Sequence, residues 1–131
     1  MNKIFTAIAA GAVALLCFHA SVSAGETVYR FDPVLQTSRA LVFGNLWAGY
    51  QVYKDNCKSC HFRGNGQGAA YLNESSRTMR GWNNVFYKKN VECAKSGAWA
   101  KLSQEELRNV NDYLYSKAYD TWNPNSAKSC G

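Results

Sequence analysis

Histidine, methionine and proline are scarce in this chain of 131 residues, which has two of each. Met1 and His19 lie in the N-terminal segment, so the remainder has a single methionine, Met79, and a single histidine, His61. A metal site formed by that remainder alone can therefore use only one imidazole, which excludes ligation by two histidines. The sequence also lacks paired carboxylates, a second nucleophile and a substrate-binding motif, and we expect a protein that is not an enzyme.

Long runs of like charge are also missing. The chain has 15 Lys and Arg residues against 9 Asp and Glu residues, a formal net charge of +6, but the basic residues are scattered. Without a basic block, a nucleic-acid partner is not expected. Two interpretations stay open for these residues: a solvated surface, or a basic rim that steers an acidic partner protein.

The N-terminal segment has the pattern of an export signal. Lys3 precedes an apolar run over residues 4–18, and small residues follow up to Ala24. This pattern predicts a signal peptide over residues 1–24 that is cleaved before Gly25, leaving residues 25–131 as the mature chain. The apolar run is short for a membrane span, so we expect no span in the mature chain. The export signal predicts a location in the bacterial periplasm.

The motif with the clearest chemistry is Cys57-Lys58-Ser59-Cys60-His61. Two cysteines separated by two residues, followed at once by histidine, are typical of covalent haem attachment. The two thiols form thioether bonds with the two vinyl groups of one haem, and the histidine then lies under the ring as proximal iron ligand. The sequence therefore predicts one covalent haem c on Cys57 and Cys60, with His61 bound to iron.

The cysteines allow two other interpretations. A redox dithiol is typical of a strand-helix context in an α/β fold, which this sequence does not show. A zinc site would need Cys93 and Cys130 to complete a set of four ligands, or His61 in place of one of them. Structural zinc sites usually have a second closely spaced ligand pair, which is absent, so haem is favoured.

Helical periodicity predicts an all-α domain. Ser103 and Glu106 form a capping box at the start of the last helix, and Leu107, Val110 and Leu114 repeat at helical spacing behind it. Upstream we expect an extended leader over residues 25–37, a helix over 39–56, a glycine-rich loop over 62–70 and one or two short helices within 71–89. In those short helices Trp82, Val85 and Phe86 should face inward.

Two segments carry a family resemblance. Residues 48–57 resemble the N-terminal helix of class I cytochromes c, and residues 102–114 resemble their C-terminal helix. The resemblance implies a small all-α fold around one covalent haem, with a core over about residues 39–118 and an N-terminal extension. It also implies that the two helices cross, with Gly49 and Tyr53 against Tyr113 and Leu114.

The motif also departs from that family in two ways. Phe62 stands where the family usually has glycine, and no proline follows the glycine-rich loop to offer a carbonyl to the proximal histidine. The hydrogen bond that orients His61 must therefore come from elsewhere, and we expect it from the backbone of residues 69–72.

The distal iron ligand is the decisive open point. Met79 follows His61 by only 18 residues, whereas the distal methionine of the resembling family comes later, shortly before the C-terminal helix. Cys93 occupies that position in this chain and is the favoured ligand. The alternatives are a Cys93–Cys130 disulfide, ligation by Met79 as runner-up, or an open site.

These observations predict a periplasmic monohaem cytochrome that transfers electrons to or from a redox partner protein, at low potential if Cys93 binds iron. Small His/Cys-ligated cytochromes of this kind are similar to the subunits of the nitric-oxide-binding heterodimeric cytochrome c complex of anammox bacteria. That similarity implies an alternative function, a gas-binding or regulatory subunit in a hetero- or homodimer. A haem subunit in sulfur oxidation is a third, less favoured interpretation.

Overall fold

The computed structural model describes residues 27–121, so the predicted signal peptide and Cys130 lie outside the described residues. Within this range helices dominate, and none of them is long and apolar enough to span a membrane. The elements are strands β1 (Tyr29–Asp32) and β2 (Thr37–Ala40) and helices α1 (Leu46–Val52), α2 (Met79–Lys88), α3 (Glu92–Lys95) and α4 (Gln104–Ser116). Shorter helical turns cover Phe43–Asn45, Tyr53–Cys57, Glu74–Ser76 and Tyr119–Thr121.

The two strands form an antiparallel hairpin in which Tyr29 pairs with Ala40 and Asp32 with Thr37. The Asp32 carboxylate accepts hydrogen bonds from the backbone N–H groups of Val34 and Leu35, at 2.8 and 3.1 Å, and so shapes the turn. The prediction of an extended leader over residues 25–37 was therefore wrong where the hairpin forms. The prediction that a helix begins at residue 39 was also wrong, because β2 continues to Ala40. The hairpin was missed because its charged residues face inward and its aromatic residues face outward, the reverse of the usual strand pattern.

Helix α1 crosses α4 at a point of very close approach. A Cβ atom added to Gly49 would lie 2.0 Å from the Asn109 carbonyl oxygen and 2.8 Å from the Tyr113 Cβ. One turn further on, the rings of Tyr53 and Tyr113 are 5.7 Å apart. The predicted contact of Gly49 and Tyr53 with Tyr113 is thus confirmed. Gly49 has no side chain, and this allows the two helix backbones to approach so closely.

Helix α4 forms as its sequence predicts. The Ser103 hydroxyl accepts from the Glu106 N–H at 3.1 Å, and the Glu106 carboxylate accepts from the Ser103 N–H at 2.8 Å. This reciprocal pair satisfies backbone donors that the first helical turn leaves free. Val110 and Leu114 are almost completely buried, at 1% and 2% exposure, and Leu107 lies beside them in the core.

Helix α2 supplies the other wall of the core. Thr78 caps its N-terminus by accepting from the Gly81 N–H, and the helix ends where Lys89 adopts a left-handed conformation. Its buried face is the expected one and consists of Trp82, Val85 and Phe86. Together with α4, these side chains form the apolar wall of the cavity described next.

Candidate functional site

A cavity of about 830 Å³ lies between the end of α1, the glycine-rich loop, α2, α3 and α4. Its volume is in the upper part of the range for sites that hold small molecules or cofactors. Aromatic and aliphatic side chains make up much of its lining: Tyr53, Leu72, Trp82, Val85, Phe86, Val91, Trp99 and Leu114. The cavity therefore suits a large, mainly apolar group.

Cys57, Cys60 and His61 all line this cavity. A wide helical turn over Tyr53–Cys57 brings the chain there, and its last hydrogen bond runs from the Lys58 N–H to the Tyr53 carbonyl at 2.9 Å. The N–H groups of Cys60 and His61 then both donate to the Cys57 carbonyl, at 3.2 and 2.9 Å. This tight turn places both thiols and the imidazole at the same cavity.

The imidazole of His61 is held in one orientation by the backbone. Its Nδ1 lies 2.6 Å from the Ala70 carbonyl oxygen. Because a carbonyl can only accept, Nδ1 carries the hydrogen, and Nε2 keeps a lone pair for a metal ion. This bond confirms the expected partner within residues 69–72, and bonds of this kind orient metal-ligating histidines.

The glycine-rich loop positions that carbonyl through Asn65, a residue that the sequence analysis did not single out. The Asn65 side-chain amide donates to the carbonyls of Phe62 and Ala69, at 2.9 and 2.7 Å. Its oxygen accepts from the Gln67 N–H at 2.8 Å. The available signal in the sequence was an asparagine between two glycines, because asparagine side chains in such loops bond to nearby backbone.

The surroundings of the Cys57 thiol disfavour its ionisation. Burial is the largest of the effects that together raise its pKa to about 12, and the neighbouring Cys93 and Cys60 act in the same direction. An unassisted thiolate nucleophile is not favoured by such surroundings, because reactive cysteines need a lowered pKa. The surroundings of Cys57 are therefore unlike those of the low-pKa cysteine of a dithiol oxidoreductase.

Cys93 is on the short helix α3 and lines the same cavity as His61. Burial raises the pKa of its thiol, while the Trp99 side chain and the backbone N–H groups of Cys93 and Ala94 act in the opposite direction. Trp99 in turn stacks on Phe86, with ring centroids 5.0 Å apart. Cys93 therefore lies beside an aromatic part of the cavity wall.

Met79 has a different position. It begins α2, its N–H donates to the Asp120 carboxylate at 2.7 Å, and its side chain packs against the core. It is not among the residues that line the cavity, whereas Cys93 is. Of the two predicted distal ligands, only Cys93 shares the cavity with His61.

Positive charge predominates around this site. Arg77 and Lys101 line the cavity together with one acidic residue, Glu92. Near the cysteine turn, the cationic groups of Lys58 and Arg63 each lie 4.6 Å from the centre of the Tyr71 ring. These positions fit the basic rim that the sequence left as one of two interpretations.

Cys130, one of the ligands that the zinc interpretation needs, lies outside the described residues. Within residues 27–121, no group of three or more His, Cys, Asp or Glu side chains is arranged to hold a metal ion directly. Cys57, Cys60, His61 and Cys93 surround a large cavity instead of converging on one point.

Searches of protein-family models, curated proteins and solved structures found no match to this chain.

Proposed function

We propose that this protein is a periplasmic monohaem c-type cytochrome that acts in electron transfer. The observation that supports it most is the shared cavity: Cys57, Cys60, His61 and Cys93 line one apolar space of about 830 Å³. A haem attached at the cysteine pair would fill that space. Its iron supplies one-electron chemistry when bound.

Each residue of the site has a role in this proposal. Cys57 and Cys60 hold the haem covalently, and His61 offers Nε2 to the iron while the Ala70 carbonyl fixes its ring. Cys93 is the distal ligand. Trp82, Phe86 and the other apolar side chains exclude water from the ring faces, which stabilises the cofactor and tunes its potential.

The arrangement of α1 against α4 supports a class I cytochrome c-like, all-α fold over about residues 39–118. The close contact at Gly49 and the capped α4 both agree with it. In this proposal the hairpin β1–β2 is an addition at the N-terminal side of that core, and the signal peptide over residues 1–24 directs export.

The choice of Cys93 over Met79 sets the expected potential. A thiolate is a strong anionic donor that stabilises ferric iron, whereas a thioether raises the potential. Since Cys93 lines the cavity and Met79 does not, we favour a low-potential haem. Arg77 and Lys101 line the cavity and give this side of the protein a positive charge, which would attract an acidic redox partner.

A second function, a subunit that binds nitric oxide or another small gas, is favoured by the position of Cys93. Helix α3 has only four residues and none of them is buried. Little packing therefore holds Cys93 in place, and a ligand on such an element is easier to displace than one on α2 or α4. Displacement would open a coordination position inside the apolar cavity.

Mass spectrometry of protein purified from periplasm tests the main proposal. We expect a chain that begins at Gly25 and carries one haem, and a haem that remains after extraction with acidified acetone. A variant with Cys57→Ala and Cys60→Ala should lose the haem under the same extraction. A wild-type protein that loses its haem in acidified acetone, or that contains none, would overturn the proposal.

A further inference from the structure

The hairpin β1–β2 has an inverted distribution of polarity. On its inner side, Arg30 and Asp32 are buried, at 4% and 1% exposure. On its outer side, Tyr29 and Phe31 are 74% and 44% exposed. A strand pair on the surface of a soluble monomer normally shows the opposite arrangement, with apolar residues inside and polar residues outside.

Ionic contacts hold the inner side on α4 and α2. Arg30 donates to the carboxylate of Asp112 at 2.6 Å and to the side-chain oxygen of Asn83 at 2.8 Å. Arg39 pairs with Asp32 and, at 2.7 Å, with Asp112. Every buried side-chain nitrogen and oxygen in the described residues has a partner, so this network is complete.

The outer side carries no charged side chain. The strand register pairs Tyr29 with Ala40 and Phe31 with Ser38, so large residues lie on β1 and small residues on β2. Tyr87 of α2 extends the aromatic surface, because its ring lies edge-on to Phe31 at 6.4 Å. Exposed apolar patches of this kind mark interaction sites.

This face is complementary to itself. When two sheets pack face to face about a two-fold axis parallel to their strands, β1 of each lies over β2 of the other. Tyr29 and Phe31 of one sheet then lie over Ala40 and Ser38 of its partner, large against small, and the two-fold axis repeats each contact in the reverse direction. The chain has more basic than acidic residues, so two copies repel, and a face without charges is where that repulsion costs least.

We propose that the outer face of the hairpin, formed by Tyr29, Phe31, Ser38 and Ala40, is the interface of a homodimer. The occupant is a second copy of this chain, packed sheet on sheet. The interface does not depend on haem, because the hairpin rests on the side of α2 and α4 that carries Asn83 and Asp112, whereas the cavity is lined by Val85 and Leu114.

Sedimentation velocity of the purified full protein over a range of concentrations tests the interface. We expect a reversible dimer for wild type, and for Tyr29→Lys a rise of at least about tenfold in its dissociation constant. Tyr119→Lys is the matched control, because Tyr119 is 72% exposed but lies on the turn after α4. Its dissociation constant should stay within about twofold of wild type.

Salt and hydrogen exchange give readouts that need no variant. Added sodium chloride should strengthen the dimer, since it screens the repulsion between like-charged copies. Backbone amides of β1 and β2 should exchange more slowly as the wild-type protein is concentrated. These two measurements decide the matter if Tyr29→Lys fails to fold.

Three results would overturn the proposal. One is a wild-type protein that stays monomeric at every concentration. Another is a dimer that Tyr29→Lys and Tyr119→Lys weaken equally, or that neither weakens, because the interface then lies elsewhere. The third is a monomer whose Tyr29 face binds phosphatidylcholine vesicles, because the occupant is then a lipid surface.

Discussion

Gly49 and Asn109 touch backbone to backbone where α1 crosses α4, and a methyl group on Gly49 would lie 2.0 Å from the Asn109 carbonyl oxygen. Helix α1 cannot shift there without moving the cysteine turn, since α1 leads directly into Tyr53–Cys57. The crossing thus links the stability of the fold to the position of Cys57 at the cavity.

We expect Gly49→Ala to destabilise the protein by at least about 3 kcal/mol, because forcing atoms into a packed contact costs about 1–3 kcal/mol and the clash here is with backbone. Urea denaturation followed by circular dichroism measures it. Gly44→Ala is the control, since nothing lies within 4 Å of a Cβ there. A loss at Gly49 no larger than that at Gly44 would show that the crossing is misplaced.

The distal ligand gives the second prediction. If Cys93 binds iron, the ferric protein should be low-spin with thiolate-type spectra and without the far-red band of methionine-ligated haem. Cys93→Ala should then give a high-spin or water-bound haem. Met79→Ala is the matched control, because Met79 packs on the core outside the cavity lining, and its ferric spectrum should match wild type.

Cys130→Ala separates ligation from a disulfide. It should leave the ferric spectrum unchanged if Cys93 is bound to iron. A methionine band in wild type that only Met79→Ala removes would show that Met79 is the distal ligand, as in ordinary electron-transfer cytochromes. Cys93 and Cys130 would then be expected to form a disulfide.

The third prediction concerns α4. Ser103→Ala removes the cap that accepts from the Glu106 N–H and should cost about 1 kcal/mol of unfolding free energy. Ser75→Ala, at an exposed serine outside α4, should change stability by less than about 0.5 kcal/mol. Equal effects of the two substitutions would contradict the capping box.

The fourth prediction concerns Leu114, which lies in the core and lines the cavity. Leu114→Ala should cost about 2–5 kcal/mol, since it removes buried methyl groups from a site that cannot fully collapse. Urea denaturation of the purified protein measures it. A cost below about 1 kcal/mol would mean that this side chain is not packed as described.

The fifth prediction is a pH dependence that arises from Asp32. Burial by itself acts to raise the pKa of this carboxyl, but hydrogen bonds from Arg39 and the turn backbone outweigh it and hold the pKa below 3.8. The unfolded chain therefore binds this proton at a higher pH than the folded chain does. The stability that Asp32 contributes is full above pH 3.8 and is lost as the pH falls through its folded pKa.

We expect Asp32→Asn to cost on the order of 3 kcal/mol at neutral pH, because it removes the charge of a buried carboxylate that pairs with both Arg39 and Arg108. That difference from wild type should shrink on acidification below about pH 4. Chemical denaturation at several pH values measures both. Asp55→Asn, at an exposed acid, should change stability at neutral pH by less than about 0.5 kcal/mol. A difference at Asp32 that does not vary with pH would contradict the assignment.

Local signals in the sequence predicted several features correctly. The capping box of Ser103 and Glu106 and the inward face of α2 depend on residues within one or two turns of each other. The approach of Gly49 to Tyr113 came from a family resemblance and is confirmed. The haem and the ligation by Cys93 stay predictions, and the structure adds the cavity that they would share.

The sequence by itself determined the cysteine-histidine motif, the glycine loop after it and the capped α4, because each depends on neighbours along the chain. Only the tertiary structure decided the hairpin, since Arg30 can be buried only where Asp112 arrives from 82 residues away. It likewise decided that the Ala70 carbonyl orients His61 and that Cys93, not Met79, reaches the cavity. Contacts between distant segments depend on how helices pack, and no local pattern encodes that packing.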